Sequence, residues 1–253
     1  MFIEERLEKI MELVHQNRKV KVDDAMHVCN VSADTIRRDF TRLAKNDMVI
    51  RTHGGIMVNT ISMPYSSTSE RQIKNKEAKE LIGKKAAEFI PEGGTIAVDA
   101  GTSTVEVLSS LNAVQNLNLI CYSLDIANEA MKYEHVTLMI LGGIIRRKTA
   151  SITGPDAVAM VSKLHADVLF LGANCFDSEK GLMTPGRMEA EVKESLISIA
   201  DKVVLMADSS KLRKRAVFTF CPPENIDIFI TDSGADKNFI EDIKKYGIET
   251  IIV

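Results

Sequence analysis

Ser32-Ala-Asp-Thr-Ile-Arg-Arg-Asp-Phe-Thr-Arg-Leu-Ala-Lys45 is the stretch on which the reading of the amino-terminal fold turns. Ser32 is a good N-cap, since its hydroxyl can accept one of the first orphan amides of a helix. At helical periodicity Ile36, Phe40 and Leu43 share one side, while Thr35, Arg38, Arg42 and Lys45 share the opposite one and Arg37 lies at its edge. One side is a core stripe; the other is polar and basic. Upstream, Ile3, Leu7, Ile10, Met11 and Val14 recur at helical spacing until Asn17-Arg18-Lys19 breaks the pattern. A second helix opens at the Asp23-Asp24 cap and runs through Ala25, Met26 and Val28 to Cys29, and Asn30-Val31-Ser32 turns the chain into the third. Downstream, Met48-Val49-Ile50 and Ile56-Met57-Val58 flank Thr52-His53-Gly54-Gly55, two short strands around a glycine turn. Three helices followed by a hairpin predict a winged helix-turn-helix over residues 1–58.

The free face of the third helix has a chemistry of its own. Arginine can pair with guanine O6 and N7 in the major groove, and neighbouring polar side chains can hold phosphates. The candidate contacts to double-stranded DNA are therefore Ser32, Thr35, Arg37, Arg38, Arg42 and Lys45, with Arg51 and His53 on the wing beside the sugar-phosphate backbone. Any single arginine here reads equally well as part of a solvated face. Residues 32–58 nevertheless carry five Lys/Arg against three Asp/Glu, although the whole chain has a formal net charge of -3. That local basic balance is the footprint of a nucleic-acid surface.

The remaining sequence describes a second domain. Residues 59–69, polar and Ser-rich without a period, read as a linker, so the second domain spans 70–253. After a charged helix from about Glu70 to Ile90, apolar runs alternate with helical ones: Thr95–Val98, Leu117–Cys121, Val136–Leu141, Asp167–Leu171, Lys202–Ala207, Ile228–Thr231 and Thr250–Val253. This alternation predicts an α/β domain, a largely parallel sheet with helices on both faces. At 253 residues, 45% hydrophobic and 26% charged, the chain is too large for a disulfide miniprotein and too apolar for a disordered one. No run approaches the length of a membrane helix and the first residues lack a signal-peptide pattern, so a cytoplasmic location is expected. Cys29, Cys121, Cys175 and Cys221 have no CxxC spacing, which points to inert thiols, and neither a metal site nor a cofactor is expected.

Asp99-Ala-Gly-Thr-Ser-Thr104 follows the first of these strands and precedes an amphipathic helix through Val105 and Leu108. Gly101 permits close approach, the hydroxyls of Thr102, Ser103 and Thr104 can donate, and a helix start offers free amides. The loop has neither P-loop nor dinucleotide-fold spacing, which favours a small monophosphate over ATP or NAD. Read alone, it is equally an ordinary capped turn. Other polar clusters also follow strands: Ser123, Gly142-Gly143, Gly172-Ala-Asn174 and Asp208-Ser-Ser-Lys211. Ligands gather at such strand ends in open α/β sheets. Lys180-Gly181 and Glu191-Val192-Lys193 add carboxylate and cation.

Val31-Ser-Ala-Asp-Thr-Ile-Arg-Arg-Asp-Phe40, Leu43 and Arg51-Thr-His-Gly-Gly55 closely resemble the DNA-binding signature of DeoR-family bacterial transcription regulators. The strand-end clusters, in the same order, resemble the sugar-phosphate sensor domain of that family, so the likeness covers nearly the whole chain. Three positions depart from it: Asn30 stands where Gly is usual, Asn46-Asp47 where a Gly commonly ends the recognition helix, and Tyr122 where Asn is usual. The resemblance implies a Rossmann-like sensor sharing its fold with ribose-5-phosphate isomerase and glucosamine-6-phosphate deaminase. By the same resemblance the phosphate sits on Gly101-Thr-Ser-Thr104, with Asp99 and Lys211 as nearby polar contacts; Ser123 and Lys193, from the clusters above, complete the candidate effector contacts.

The expected function is a sequence-specific DNA-binding regulator, a repressor of a sugar or carbohydrate operon controlled by a phosphorylated sugar. A homo-oligomer, dimer or tetramer, is expected, because one winged helix reads only a few base pairs. The rival is an isomerase or deaminase with an accessory DNA module. Such an enzyme needs paired acid/base carboxylates, and the isomerase-like Asp-Gly-Ala-Asp pattern is missing at Leu171-Gly-Ala-Asn-Cys175. Glu191 is the candidate base and reads better as a helix-surface residue, so no enzyme is expected.

Overall fold

Ile36, Phe40 and Leu43 close on Ile10, Val14, Ala25 and Cys29 to make the core of the first part of the chain. The computed structural model describes residues 3–17, 19–45, 49–52, 54–58 and 68–253; Asn46, Asp47, His53 and residues 59–67 lie outside them. The elements are α1 (Ile3–Asn17), β1 (Lys19–Lys21), α2 (Val22–Cys29), α3 (Ala33–Lys45), β2 (Val49–Thr52) and β3 (Gly55–Val58). β1 is an addition to the expected hairpin. Its Val20 is buried between two exposed lysines, and it pairs antiparallel with β3, giving the order β1-β3-β2.

The cap of α2 differs from expectation. The helix starts at Val22, and Asp24 reaches back as acceptor for the Lys21 N–H at 3.4 Å. Asn30 ends it in the left-handed region, with φ of 51°. Asn tolerates this conformation because its short polar side chain bonds locally, so the turn survives without the expected Gly. Behind α3, Asp39 is 2% exposed and paired with Arg6 of α1, Nε to Oδ2 at 2.5 Å and Nη2 to Oδ1 at 3.2 Å.

The chain divides into units 1–65 and 66–253. The second opens with α4 (Thr68–Ile73) and α5 (Lys76–Ala86), where one helix from about Glu70 to Ile90 was expected. Asn75, left-handed with φ of 55°, breaks it, and Thr68 and Ser69 of the expected linker are already helical. There follow β4 (Thr95–Val98), β5 (Asn118–Cys121), α6 (Leu124–Ala130), β6 (Thr137–Ile140), β7 (Ile144–Arg146), β8 (Ser151–Thr153), α7 (Pro155–Val161) and β9 (Ala166–Gly172). The chain ends with β10 (Cys175–Asp177), β11 (Gly181–Thr184), α8 (Arg187–Ser198), β12 (Ala200–Met206), β13 (Phe218–Cys221), β14 (Ile228–Thr231), α9 (Lys237–Lys244) and β15 (Glu249–Ile252).

Seven strands form one parallel sheet in the order β15-β14-β12-β9-β4-β5-β6. Successive residues serve opposite cores, as a strand's period of two requires. Ala97, Leu169, Leu171 and Leu205 pack into one apolar cluster, and Ile96, Val98, Phe170 and Val204 into the other. Burial on both faces explains why these strands read as continuous apolar runs. The β7-β8 ribbon and the antiparallel β10-β11-β13 sheet were not foreseen. All four cysteines are buried and free, and burial raises their thiols, Cys121 and Cys175 to about 11 and Cys221 to about 12.

Candidate functional site

The outer face of α3 is built from its cap outward. Ser32 Oγ accepts the Thr35 N–H at 3.4 Å and shares a 3.0 Å hydrogen bond with the Thr35 hydroxyl. Both groups thus serve the helix start as well as its surface. Arg38 and Arg42 are exposed, and Arg37, also exposed, pairs with Asp34 at 3.1 Å. Arg51 on β2 donates to the Thr41 hydroxyl at 2.9 Å, and Thr41 donates to the Arg37 carbonyl at 2.8 Å. The wing arginine is therefore braced against α3 beside the basic face. Lys45 closes the helix, and His53 lies outside the described residues.

The second site follows from topology. From β4 the chain runs to β5 and β6 on one side, and β9 then returns to pair with the other side of β4. Between β4 and β9 the strand order reverses, and the crevice at their carboxyl ends is where an open α/β sheet takes a ligand. Asp99 follows β4 and Gly172 ends β9. The Asp99 carboxylate sits between them, 1% exposed, with Oδ2 accepting the Gly172 N–H at 2.9 Å and Lys193 Nζ at 2.5 Å. Lys193, from α8, also donates to the Gly172 carbonyl at 3.0 Å. A side chain at Gly172 would place its Cβ 2.9 Å from Asp99 Oδ2, so the close approach requires glycine.

Tyr122 hydrogen-bonds Asp99 Oδ1 from behind and is fully buried; burial and the Asp99 charge push its phenol well up, which keeps it a donor. The expected departure from Asn at this position thus supports Asp99 and does not line the recess.

The recess in front of Asp99 is lined by Gly101, Thr102, Ser103, Asn174, Lys193 and Lys211, together with Arg71 and Glu189. Six of the eight residues expected to contact an effector meet here or in its wall. The other two have different work. Thr104 is fully buried; its hydroxyl accepts the Gly101 N–H at 3.1 Å and donates to the Asp99 carbonyl at 2.6 Å, pinning the loop from inside. Ser123 caps α6, accepting the Ile126 N–H at 3.4 Å, and lines an adjoining recess with Thr68, Gln72, Gly101 and Thr102. The turn after the loop is a 3-10 helix, Thr104–Ala113, tighter than the helix expected there.

Glu191 pairs with Arg187 at 2.9 Å on the helix surface, and the carboxylate of the recess is Glu189, held by Arg146 at 3.0 Å. Arg71 and Glu189 were both missed. Arg71 belongs to the expected charged helix, and Glu189 differs from Glu191 by a turn phase that no spacing rule selects. Lys180 lies in the β10–β11 turn, its N–H on Asp177 Oδ1 at 2.9 Å, away from the recess. Among the described residues no ion pair holds Arg71 or Lys211. Burial lowers the Lys211 ammonium, and Asp208 partly restores it. Burial opposes ionisation of Asp208, but hydrogen bonds from Ser210 and Asn75 and the Lys211 charge outweigh it and hold the carboxyl low.

The one grouping of metal-ligand type among the described residues is His165, Asp167 and Asp201, largely exposed at the amino-terminal ends of β9 and β12. Asp167 Oδ2 there already accepts the Thr95 N–H at 2.7 Å.

A winged helix with an exposed basic helix face, followed by an α/β unit with a polar recess at its switch point, is the architecture of a DNA-binding regulator that carries its own sensor. Residues 6–62 match the family model of the DeoR-like helix-turn-helix domain, and residues 74–233 that of the DeoR C terminal sensor domain. The chain is 34% identical to the HTH-type transcriptional regulator GlpR of Haloferax volcanii, over 98% of this chain and 96% of that one. It is 29% identical to the HTH-type transcriptional repressor GlcR of Bacillus subtilis, over 100% and 97%, and 30% identical to the glycerol-3-phosphate regulon repressor of Escherichia coli, over 88% of each. The chain belongs to the DeoR family of transcriptional regulators. Among solved structures, ribose 5-phosphate isomerase A of Methanocaldococcus jannaschii is similar at a TM-score of 0.41 and 19% identity, over 56% of each chain. A likeness of that size transfers no residue role. No described helix is long and apolar enough to cross a membrane.

Proposed function

We propose that this protein represses a sugar or carbohydrate operon by binding its operator through α3 and the wing, and that a phosphorylated sugar in the recess controls it. The observation that carries the reading is the meeting of the Thr102 and Ser103 hydroxyls with Lys211, a cation without an ion pair among the described residues, at the switch point of the sheet. Hydroxyl donors beside a lysine ammonium suit a phosphate. Asp99, held rigid by Lys193 and Gly172, and Glu189 face the same space and can accept from sugar hydroxyls. Arg38 and Arg42 read bases, while Arg37, Lys45, Arg51 and His53 hold phosphates. The names of the Escherichia coli and Bacillus subtilis relatives, a glycerol-3-phosphate regulon repressor and a repressor, support the class of effector and the sign of control. The working form is an oligomer of at least two chains, since paired half-sites multiply the affinity of a short reading helix.

A thermal-shift screen of phosphorylated sugars against their unphosphorylated counterparts tests the sensor. A true effector at a hundred times its Kd adds about 2.7 kcal/mol of stability, and the counterparts add none. Titration of operator release should then be lost in Ser103→Asp, whose carboxylate would face the phosphate. Equal responses in wild type and variant would sink the assignment of the loop.

A further inference from the structure

We infer that α4 is itself a wall of the effector site, with Arg71 as a phosphate-binding side chain, and that an occupied recess holds this helix in place. The inference rests on the reading that the Gly101–Ser103 loop takes a phosphate. Thr68, Arg71 and Gln72 stand three and four residues apart, on one face of α4. Arg71 lines the recess that holds Ser103 and Lys211, whereas Thr68 and Gln72 line the adjoining one. Ala100, Gly101 and Thr102 border both. A single helix face therefore spans the phosphate loop from side to side.

Two polar groups on that face are shielded from solvent and unpartnered among the described residues, Nε of Arg71 and Oγ1 of Thr68. Leaving a desolvated donor without an acceptor is costly, and a phosphate on the neighbouring loop supplies acceptors on the side Arg71 faces. A guanidinium is the side chain best shaped for them. The charges also agree: burial lowers the Lys211 ammonium most, Lys214, Arg71 and Lys74 add to it against Asp208, and a dianion between Arg71 and Lys211 would relieve the repulsion of that pair.

The link to regulation is covalent. Six residues are too few for a helix stable on its own, so the order of α4 depends on its contacts. Its carboxyl-terminal end and the residues that follow are held in part by two contacts: buried Lys79 donates to the Arg71 carbonyl, and Asn75 donates to Asp208 Oδ1 at 2.8 Å. Engagement of Arg71 by a phosphate adds a further hold on α4, from whose amino-terminal end the chain leads to the reading head. Residues 63–73 lie between the segments matched by the two family models.

The test uses the full-length chain with inorganic phosphate and a sugar-phosphate panel as probes, read by calorimetry and by hydrogen exchange of residues 68–75. Arg71→Gln should weaken phosphate by about tenfold or more, the loss of one charge-assisted contact, and Arg71→Lys should fall between. Phosphate should slow exchange across α4 in wild type and fail to do so in Arg71→Gln. Wild-type affinity in Arg71→Gln, beside lost binding in Ser103→Asp, would overturn the role of Arg71 and leave the effector reading intact. Weakened binding with unchanged exchange in α4 would overturn the coupling. A wild-type chain that takes up neither phosphate nor any sugar phosphate would remove both readings together. If Arg71→Gln melts early, Arg71→Lys decides alone: unchanged affinity and unchanged exchange protection would overturn the inference.

Discussion

The two candidate functional surfaces of this chain are made in opposite ways. The reading face is one side of a 13-residue helix plus a wing strand, and its arginines stand in solvent, Arg37 with 59% of its side chain exposed. The sensor recess draws on α4, the loop after β4, the end of β9, α8 and the Asp208–Lys211 turn, and its central pair, Asp99 and Lys193, is 1% and 3% exposed. An exposed charge costs little to carry and can be lost without unfolding. A buried pair is costly to make and more costly to halve, since the partner left behind is an unpaired charge in a poor solvent. Stability and function should therefore separate cleanly in the first unit and be entangled in the second.

The harshest trial of that contrast is Lys193→Met, which strands Asp99 beside Tyr122 and the Gly172 amide. It should destabilise the protein by ~3–5 kcal/mol in urea denaturation and blunt the response to sugar phosphate. A variant as stable as wild type would break the comparison. Arg38→Ala should instead cost ~1–3 kcal/mol in operator affinity and relax sequence preference, with a denaturation midpoint that does not move. Arg51→Ala, at the proposed backbone contact, should weaken all sequences alike and flatten the salt slope; a loss confined to one base position would contradict that role.

Smaller effects sharpen the picture of the recess. Thr102→Ala removes one hydroxyl and should weaken the phosphorylated sugar by about 1 kcal/mol, measured by calorimetry against an unphosphorylated control. The gentlest probe is pH. Lys211 must be charged to hold a phosphate, and burial, with the charges of Lys214, Arg71 and Lys74 against that of Asp208, sets its pKa below the 10.5 of an ordinary lysine. Affinity should accordingly fall as pH rises through that lowered value, and Lys211→Arg should remove the fall. An unchanged alkaline limb in Lys211→Arg would assign the titration to another group.

How far each surface was legible follows from the same contrast. The core stripe Ile36, Phe40 and Leu43 and the basic face opposite it are consequences of one helical period, so both could be read before any fold was known. Even there the helix hid something: Asp39, between Arg38 and Phe40, belongs to a buried pair with Arg6, a partner 33 residues away. The seven parallel strands were legible as apolar runs because both of their faces are buried, and Asp99 and the Gly101–Ser103 loop because they directly follow one. β1 was too short to leave a pattern, and the break at Asn75 passed unseen because an Asn between lysines fits a helix as well as a turn.

Sequence alone thus determined what is local and periodic: the winged helix-turn-helix, the α/β alternation, the polar strand ends and the basic outer face of α3. Tertiary structure decided which polar residues meet. The order of strands brought β9 beside β4, set Gly172 against Asp99, carried Lys193 across from α8 and Arg71 from α4, and turned Thr104 and Tyr122 inward as supports. The physical reason is that a helix or strand is chosen by neighbours a few residues apart. A buried charge, by contrast, is placed by whichever distant group satisfies it, and that partner has no fixed spacing along the chain.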